Sequence, residues 1–298
     1  MRIGFIGLGA MGAPIAANLA RAGHAVTTGD LRRIEVAGAT WAGSPADAVA
    51  GAEVLFTSLP GPAEVEALAA QIGSRLARDA AWFDLTTNSP ACVRRVHAVL
   101  AARGVQFLDA PVSGGPQGAA SGKLALWVGG DEATYQRHLP VLRAIGDQPI
   151  YVGPIGAGSV AKLAHNAASF TVQTALAEIF TLGVKAGVEP LALFKALRQG
   201  ATGRKRTFDR LAEQFLPGKY DPPAFALRLA HKDLGLALDL AREVGVPMHV
   251  AELAMVEFEE AMRRGWGERD SRATMLLQEE RAGVAPRVSA EKLRAALD

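Results

Sequence analysis

Short, nearly continuous apolar runs recur through the first half of the chain, at 3–6, 25–28, 54–58, 81–85, 105–108 and 124–128. Between several of them lie stretches of helical period, at 10–22, 64–72 and 90–103. Apolar strands alternating with helices predict a mostly parallel sheet with helices on both faces, because only a doubly covered sheet buries both sides of every strand. Ser44-Pro45 and Ser89-Pro90 each set a capping hydroxyl before a proline at the first helical position, which marks two helix starts.

The texture changes after Gly153. One long helical pattern runs from 159 to about 185, and further helices are expected at 192–199, 207–215, 232–244, 248–264 and 270–281, with no convincing strand. The chain therefore reads as an α/β domain over 1–157 followed by an all-α domain over 158–298. Residues 217–223 read as a loop and the tail after Ala285 as weakly ordered.

Composition narrows the function classes. The chain has 298 residues, is 49% hydrophobic and carries a net charge of +2, so it builds a core and shows no polyelectrolyte signature. Nucleic acid and membrane surfaces are poor partners for such a balance. Arg2 and the apolar stretch behind it imitate a secretory signal, but Gly4, Gly7, Gly9 and Gly12 break that stretch. With one cysteine, Cys92, no internal disulfide forms, and a cytoplasmic setting is expected. The histidines pair with no carboxylates in a ligand motif, so no metal is expected.

The chemistry starts at Gly7-Leu8-Gly9-Ala10-Met11-Gly12, between the first strand and the first helix. One glycine permits the tight turn, one lets a pyrophosphate approach the backbone, and one lets the helix pack on the sheet. The helix N-terminus then offers free N–H groups to the phosphates. Asp30 closes the second strand at the spacing expected for a carboxylate that accepts ribose hydroxyls. The plainer alternative for Asp30 is a helix N-cap. Asp30 favours NAD, whereas Arg32 and Arg33 just beyond it suit the 2′-phosphate of NADP, so NADP stays open.

Two further segments suit a carboxylate substrate. Asp109-Ala110-Pro111-Val112-Ser113-Gly114-Gly115 leaves a strand into a turn whose hydroxyl and N–H groups form an anion nest, or a plain glycine-rich turn. In the long helix Lys162 and Asn166 stand four apart and share a face. A helical lysine is ordinarily a solvated charge. The apolar or small neighbours Val160, Leu163, Ala164 and Ala167 instead predict a buried helix start, where a lysine becomes a usable proton shuttle.

These segments, with Lys162-Leu163-Ala164-His165-Asn166 and His231-Lys232-Asp233-Leu234, occur in an order that resembles the 3-hydroxyisobutyrate dehydrogenase, or β-hydroxyacid dehydrogenase, family from residue 1 to about 284. The resemblance implies a Rossmann domain and a helical domain that forms a homodimer or homotetramer. It implies hydride transfer between NAD and a small 3-hydroxy acid, or its semialdehyde. Lys162 would be the acid/base, Ser113, Gly114 and Gly115 would hold the substrate carboxylate, and Asn166 would bind substrate. Lys232 would lie over cofactor and substrate, and Leu59, Pro60 and Thr87 would line the cofactor. The chain departs from the family's Ser-Gly-Arg-Ser-Trp at Thr202-Gly203-Arg204-Lys205-Arg206, whose cations are either a solvated loop or a site for a second anionic group. A dehydrogenase for a larger or doubly anionic acid, such as a sugar acid or sulfonate, is therefore an alternative. An imine reductase-like protein and a non-catalytic dinucleotide-binding relative are two more, and the retained Lys162 argues against both.

Overall fold

The computed structural model describes residues 1–185, 187–200, 211–243 and 249–297. It divides into two compact units, Met1–Ala164 and His165–Asp298. The break falls inside one helix, and the boundary expected at 157/158 sits at that helix's first turn.

The first unit is built on nine strands: β1 (Arg2–Ile6), β2 (Ala25–Gly29), β3 (Thr40–Trp41), β4 (Val54–Thr57), β5 (Ala81–Asp84), β6 (Gln106–Asp109), β7 (Val112–Ser113), β8 (Ala125–Gly129) and β9 (Gln148–Gly153). Their order is β3-β2-β1-β4-β5-β6-β8-β7, with β9 also beside β8. Pairing is parallel from β3 to β6, and β8 then runs antiparallel to both β6 and β7. Helices α1 (Gly12–Arg21), α2 (Pro45–Ala48), α3 (Pro62–Ile72), α4 (Pro90–Ala101), α5 (Gly115–Ser121) and α6 (Glu132–Leu142) make the crossovers. Ser44 and Ser89 cap as expected, accepting from Asp47 and Cys92 N–H. Three strands escape the apolar pattern. β3 and β7 have two residues each, and β9 contains Pro149, which suits only the end of a sheet.

The two sheet faces pack differently. On one, Phe5, Phe56 and Phe83 are register neighbours on β1, β4 and β5, with ring centroids 6.2 and 5.5 Å apart. On the other, Trp82 meets Phe107 edge to face at 5.3 Å, over Leu55 and Val93. These buried rings hold the central strands in one register, which aligns Ile6, Thr57, Asp84 and Asp109 in a single row at the carboxyl ends of β1, β4, β5 and β6.

The second unit takes most of α7 (Ala157–Lys185), then α8 (Pro190–Gln199), α9 (Leu227–Glu243), α10 (His249–Arg263), α11 (Met275–Ala282) and α12 (Ala290–Leu297). Among the described residues it contains no strand, only an isolated bridge between Ala226 and Asp270. No described helix is long and apolar enough to cross a membrane.

Two expectations are corrected. The helix expected at 207–215 lies partly outside the described residues, and from 211 to 218 the chain forms a 3-10 segment and turns. The tail is not loose. Arg287 makes a two-pronged contact with buried Glu279 at 2.7 and 2.6 Å, and Val288 and Leu293 enter a core with Phe180, Phe194 and Phe215. An eight-residue helix is marginal alone, so α12 owes its order to this packing. Leu293→Ala should therefore lower unfolding stability by about 2 kcal/mol in urea titrations, where a loose tail would show no change.

Candidate active site

The glycine-rich turn leaves β1 at the point where the strand order reverses, with β2 on one side and β4 on the other. Its three glycines differ in what a side chain would meet. A Cβ at Gly12 would lie 1.8 Å from the Gly7 carbonyl oxygen, and one at Gly7 would lie 2.3 Å from that of Ser58. Those two serve the fold. At Gly9 a Cβ would meet nothing within 4 Å, and Gly9 and Ala10 are exposed while Leu8 is buried. The backbone at Gly9 is thus open to an approaching ligand.

Asp30 follows β2 and ties the turn down. Its Oδ2 accepts from Leu8 N–H at 2.6 Å and its Oδ1 from Arg32 N–H at 3.3 Å. Each carboxylate oxygen keeps a lone pair for a further donor such as a ribose hydroxyl. Arg33 is paired with Glu35 at 2.7 Å, and both side chains are largely in solvent. An open glycine backbone at a helix start beside a carboxylate at the end of β2 fits a dinucleotide.

The remaining positions expected to line the cofactor follow β4 and β5, in loops braced by a buried carboxylate. Asp84 accepts from the Thr57 hydroxyl at 2.8 Å, the Thr86 N–H at 3.2 Å and the Asn88 amide at 3.1 Å. The Thr86 hydroxyl accepts from Leu59 N–H at 3.0 Å. Leu59 and Thr87, both half-buried, and exposed Pro60 therefore stand on loops cross-braced through Asp84. Burial raises the Asp84 carboxyl above its ordinary range, against the pull of those donors. Sequence reasoning missed Asp84, Thr86 and Asn88. The polar run directly after an apolar strand was the available signal.

After β6 the chain reaches Ser113, half-buried, then Gly114 and Gly115, both exposed. Gly114 has φ +136°, a conformation side-chain-bearing residues rarely adopt, and α5 opens at the next residue. Asp109, one turn of chain earlier, is 1% exposed and accepts from Gly156 N–H at 2.8 Å and Ser159 N–H at 2.6 Å. It thereby holds the start of α7, the helix that carries Lys162. Lys162 itself is half-buried. The helix start is only partly the buried environment expected. Ser159 and Leu163 are enclosed, but Val160 is 41% exposed and Ala164 is also exposed.

In the second unit the structure joins two candidates through a third residue. Asp233, 2% exposed, accepts from the Asn166 amide at 2.6 Å, and Lys232 Nζ lies 2.7 Å from its other oxygen. Asp233 stood inside the His231–Leu234 motif without a role. The cationic segment Arg204, Lys205 and Arg206 lies outside the described residues.

Residues 2–153 match the NAD binding domain of 6-phosphogluconate dehydrogenase, and residues 156–278 match the NAD-binding model of NADP-dependent 3-hydroxyisobutyrate dehydrogenase. The chain belongs to the 3-hydroxyisobutyrate dehydrogenase family. It is 35% identical to 2-(hydroxymethyl)glutarate dehydrogenase of Eubacterium barkeri, covering 96% of this chain and 97% of that one. It is also 35% identical to an NAD-dependent L-serine dehydrogenase of Pseudomonas aeruginosa, covering 90% and 95%. The solved structure of Mycobacterium tuberculosis 3-hydroxyisobutyrate dehydrogenase with L-serine superposes with a TM-score of 0.82 at 32% identity, covering 93% and 98%. This family member is an oxidoreductase with an NAD(P) cofactor.

Gly9→Ala should leave the melting temperature unchanged while weakening NAD affinity at least about tenfold by fluorescence titration, whereas Gly12→Ala should cost about 1–3 kcal/mol of stability. Burial pushes the Asp109 carboxyl up to about 6 from an ordinary 3.8, opposed by its two backbone donors. A raised carboxyl gives its stability below 3.8, and that contribution is lost as pH climbs through 6. Asp109→Asn, which does not titrate, should gain on the unmodified protein by up to about 3 kcal/mol between pH 4 and pH 7 in urea unfolding. A constant difference across that range would contradict the buried, ionised Asp109.

Proposed function

We propose that the protein interconverts a 2-substituted 3-hydroxypropanoate, HOCH2–CH(R)–COO⁻, and its semialdehyde, with Lys162 as acid/base. The observation that carries this reading lies within the first unit. The dinucleotide turn, the Ser113–Gly115 loop and the start of the Lys162 helix are all anchored to one row of strand ends. The relatives point to the same substrate skeleton, since L-serine, 3-hydroxyisobutyrate and 2-(hydroxymethyl)glutarate all carry a hydroxymethyl group on the carbon that bears the carboxylate.

Bound NAD supplies the hydride acceptor. Ser113, Gly114 and Gly115 hold the substrate carboxylate through hydroxyl and N–H donors. Neutral Lys162 takes the proton from the substrate hydroxyl during oxidation, and the ammonium returns it during reduction. Asn166 orients the reacting oxygen, its amide held by Asp233, and Lys232 adds a cation beside the same carboxylate. Positioning and stabilisation of the developing alkoxide charge supply most of the rate gain. We read NAD as the preferred cofactor from Asp30, and a homodimer or homotetramer through the helical domain as the assembly.

A second reading confines R to a group that bears its own negative charge, favoured by the similarity to 2-(hydroxymethyl)glutarate dehydrogenase over nearly the whole chain. Following NADH absorbance with 3-hydroxyisobutyrate, L-serine, 2-(hydroxymethyl)glutarate, glycerate, threonate and a sulfonate analogue separates the two. Turnover of none of the hydroxymethyl acids would sink the proposal. Lys162→Ala should lower kcat on the best substrate by roughly 10²–10⁴-fold and leave NAD affinity within twofold. Asp30→Ala should narrow or reverse a preference for NAD over NADP in kcat/KM; an unmodified protein that prefers NADP would shift the decision to Arg32.

A further inference from the structure

Gly156 and Gly158 precede Lys162 in the chain, and the substrate reading gives them no task. The structure shows what they do. A Cβ at Gly158 would fall 2.3 Å from the Trp127 carbonyl oxygen, 2.6 Å from that of Asp109 and 3.1 Å from Asp109 Oδ2. Across the same joint, a Cβ at Gly129 would fall 2.6 Å from Asp109 Oδ1 and 2.7 Å from Gly158 N. The first turn of α7 is therefore pressed against the ends of β6 and β8, with the Asp109 carboxylate between them taking the Gly156 and Ser159 N–H groups. A fixed anion at a helix N-terminus satisfies donors that the helix cannot pair internally and opposes the positive end of its dipole. This anion comes from the sheet rather than from the preceding residue, so it sets where the helix begins relative to the strand ends.

We propose that Asp109 is a positioning residue for Lys162: by clamping the first turn of α7 to the end of β6, its carboxylate sets the place of the lysine amine one turn further along. The inference rests on the reading of Lys162 as the acid/base. Asn in place of Asp109 keeps the shape but offers one acceptor oxygen and turns an N–H₂ donor toward a backbone N–H. One of the two clamps is lost, and the helix start shifts. Small displacements of a reacting group are costly, because proton transfer needs hydrogen-bond reach. The burial of Asp109 bears on the same substitution from the other side, since removing an enclosed charge relieves its desolvation at neutral pH. A purely structural carboxylate would show its loss as instability. A positioning carboxylate shows it in turnover, with the fold intact.

The test is a double-mutant cycle between Asp109→Asn and Lys162→Ala, with kcat, KM, NAD affinity and melting temperature measured at pH 7.5. Asp109→Asn alone should lower kcat about 10- to 100-fold, with KM for NAD within twofold and no loss of melting temperature. In the Lys162→Ala background the same change should cost less than twofold, because the group it positions is gone. Equal losses in both backgrounds, or full kcat in a folded Asp109→Asn protein, would overturn the proposal. If Lys162→Ala itself keeps its turnover, the acid/base reading fails instead, and the two failures are told apart. Should Asp109→Asn not fold, Gly158→Ala disturbs the joint from the helix side and should give the same background-dependent loss. A Gly158→Ala protein with unchanged kcat would count against the clamp.

Discussion

Buried carboxylates at the carboxyl ends of the central strands are the constraint on which the first unit turns. Asp84 and Asp109 are register neighbours on β5 and β6, both essentially without solvent contact. An enclosed carboxylate is tolerated only when donors replace its water. Asp84 finds them in hydroxyl, amide and N–H groups of the loops after β4 and β5, and Asp109 finds them in the first turn of α7. The need to satisfy each enclosed carboxyl dictates the course of the chain leaving these strands, and the departing segments carry Leu59, Pro60, Thr87 and the start of the Lys162 helix.

The aromatic packing under the sheet and the polar row above it work as one device. Rings on Phe5, Phe56 and Phe83 admit a single strand register, and a slip by one residue would send them to the opposite face. The same register decides that Thr57 meets Asp84 and that Asp109 stands beside it. Core packing thus sets the geometry of the polar groups, and the polar groups brace the loops that carry candidate cofactor positions. In the second unit Asp233 has an equivalent task on a smaller scale, because one buried carboxylate holds both the Asn166 amide and the Lys232 ammonium.

Much of this was legible in the sequence. The short apolar runs became β1, β2, β4, β5, β6 and β8, and the serine–proline pairs became helix caps, because each signal lies within a few residues of what it specifies. The glycine motif and Asp30 were visible for the same reason. β3, β7 and β9 were not, since two-residue strands and a proline-containing edge strand have no periodicity to read. The order of the tail was also hidden, because Arg287 and Leu293 acquire partners only once Glu279 and the phenylalanine core are in place.

The sequence by itself determined the alternation of elements, the dinucleotide turn, the family, and the residue types available for catalysis, since all of these are carried by local pattern and motif. Only the tertiary structure decided which buried carboxylates govern them. Asp109 reaches donors 47 and 50 residues away, Asn166 meets Asp233 across 67, and Asp30 meets Leu8 across 22. A carboxylate in a sequence shows neither whether it will be enclosed nor which N–H groups will face it. Burial and hydrogen-bond partners are properties of the packed chain, and they alone separate the solvated acid from the one that fixes a helix.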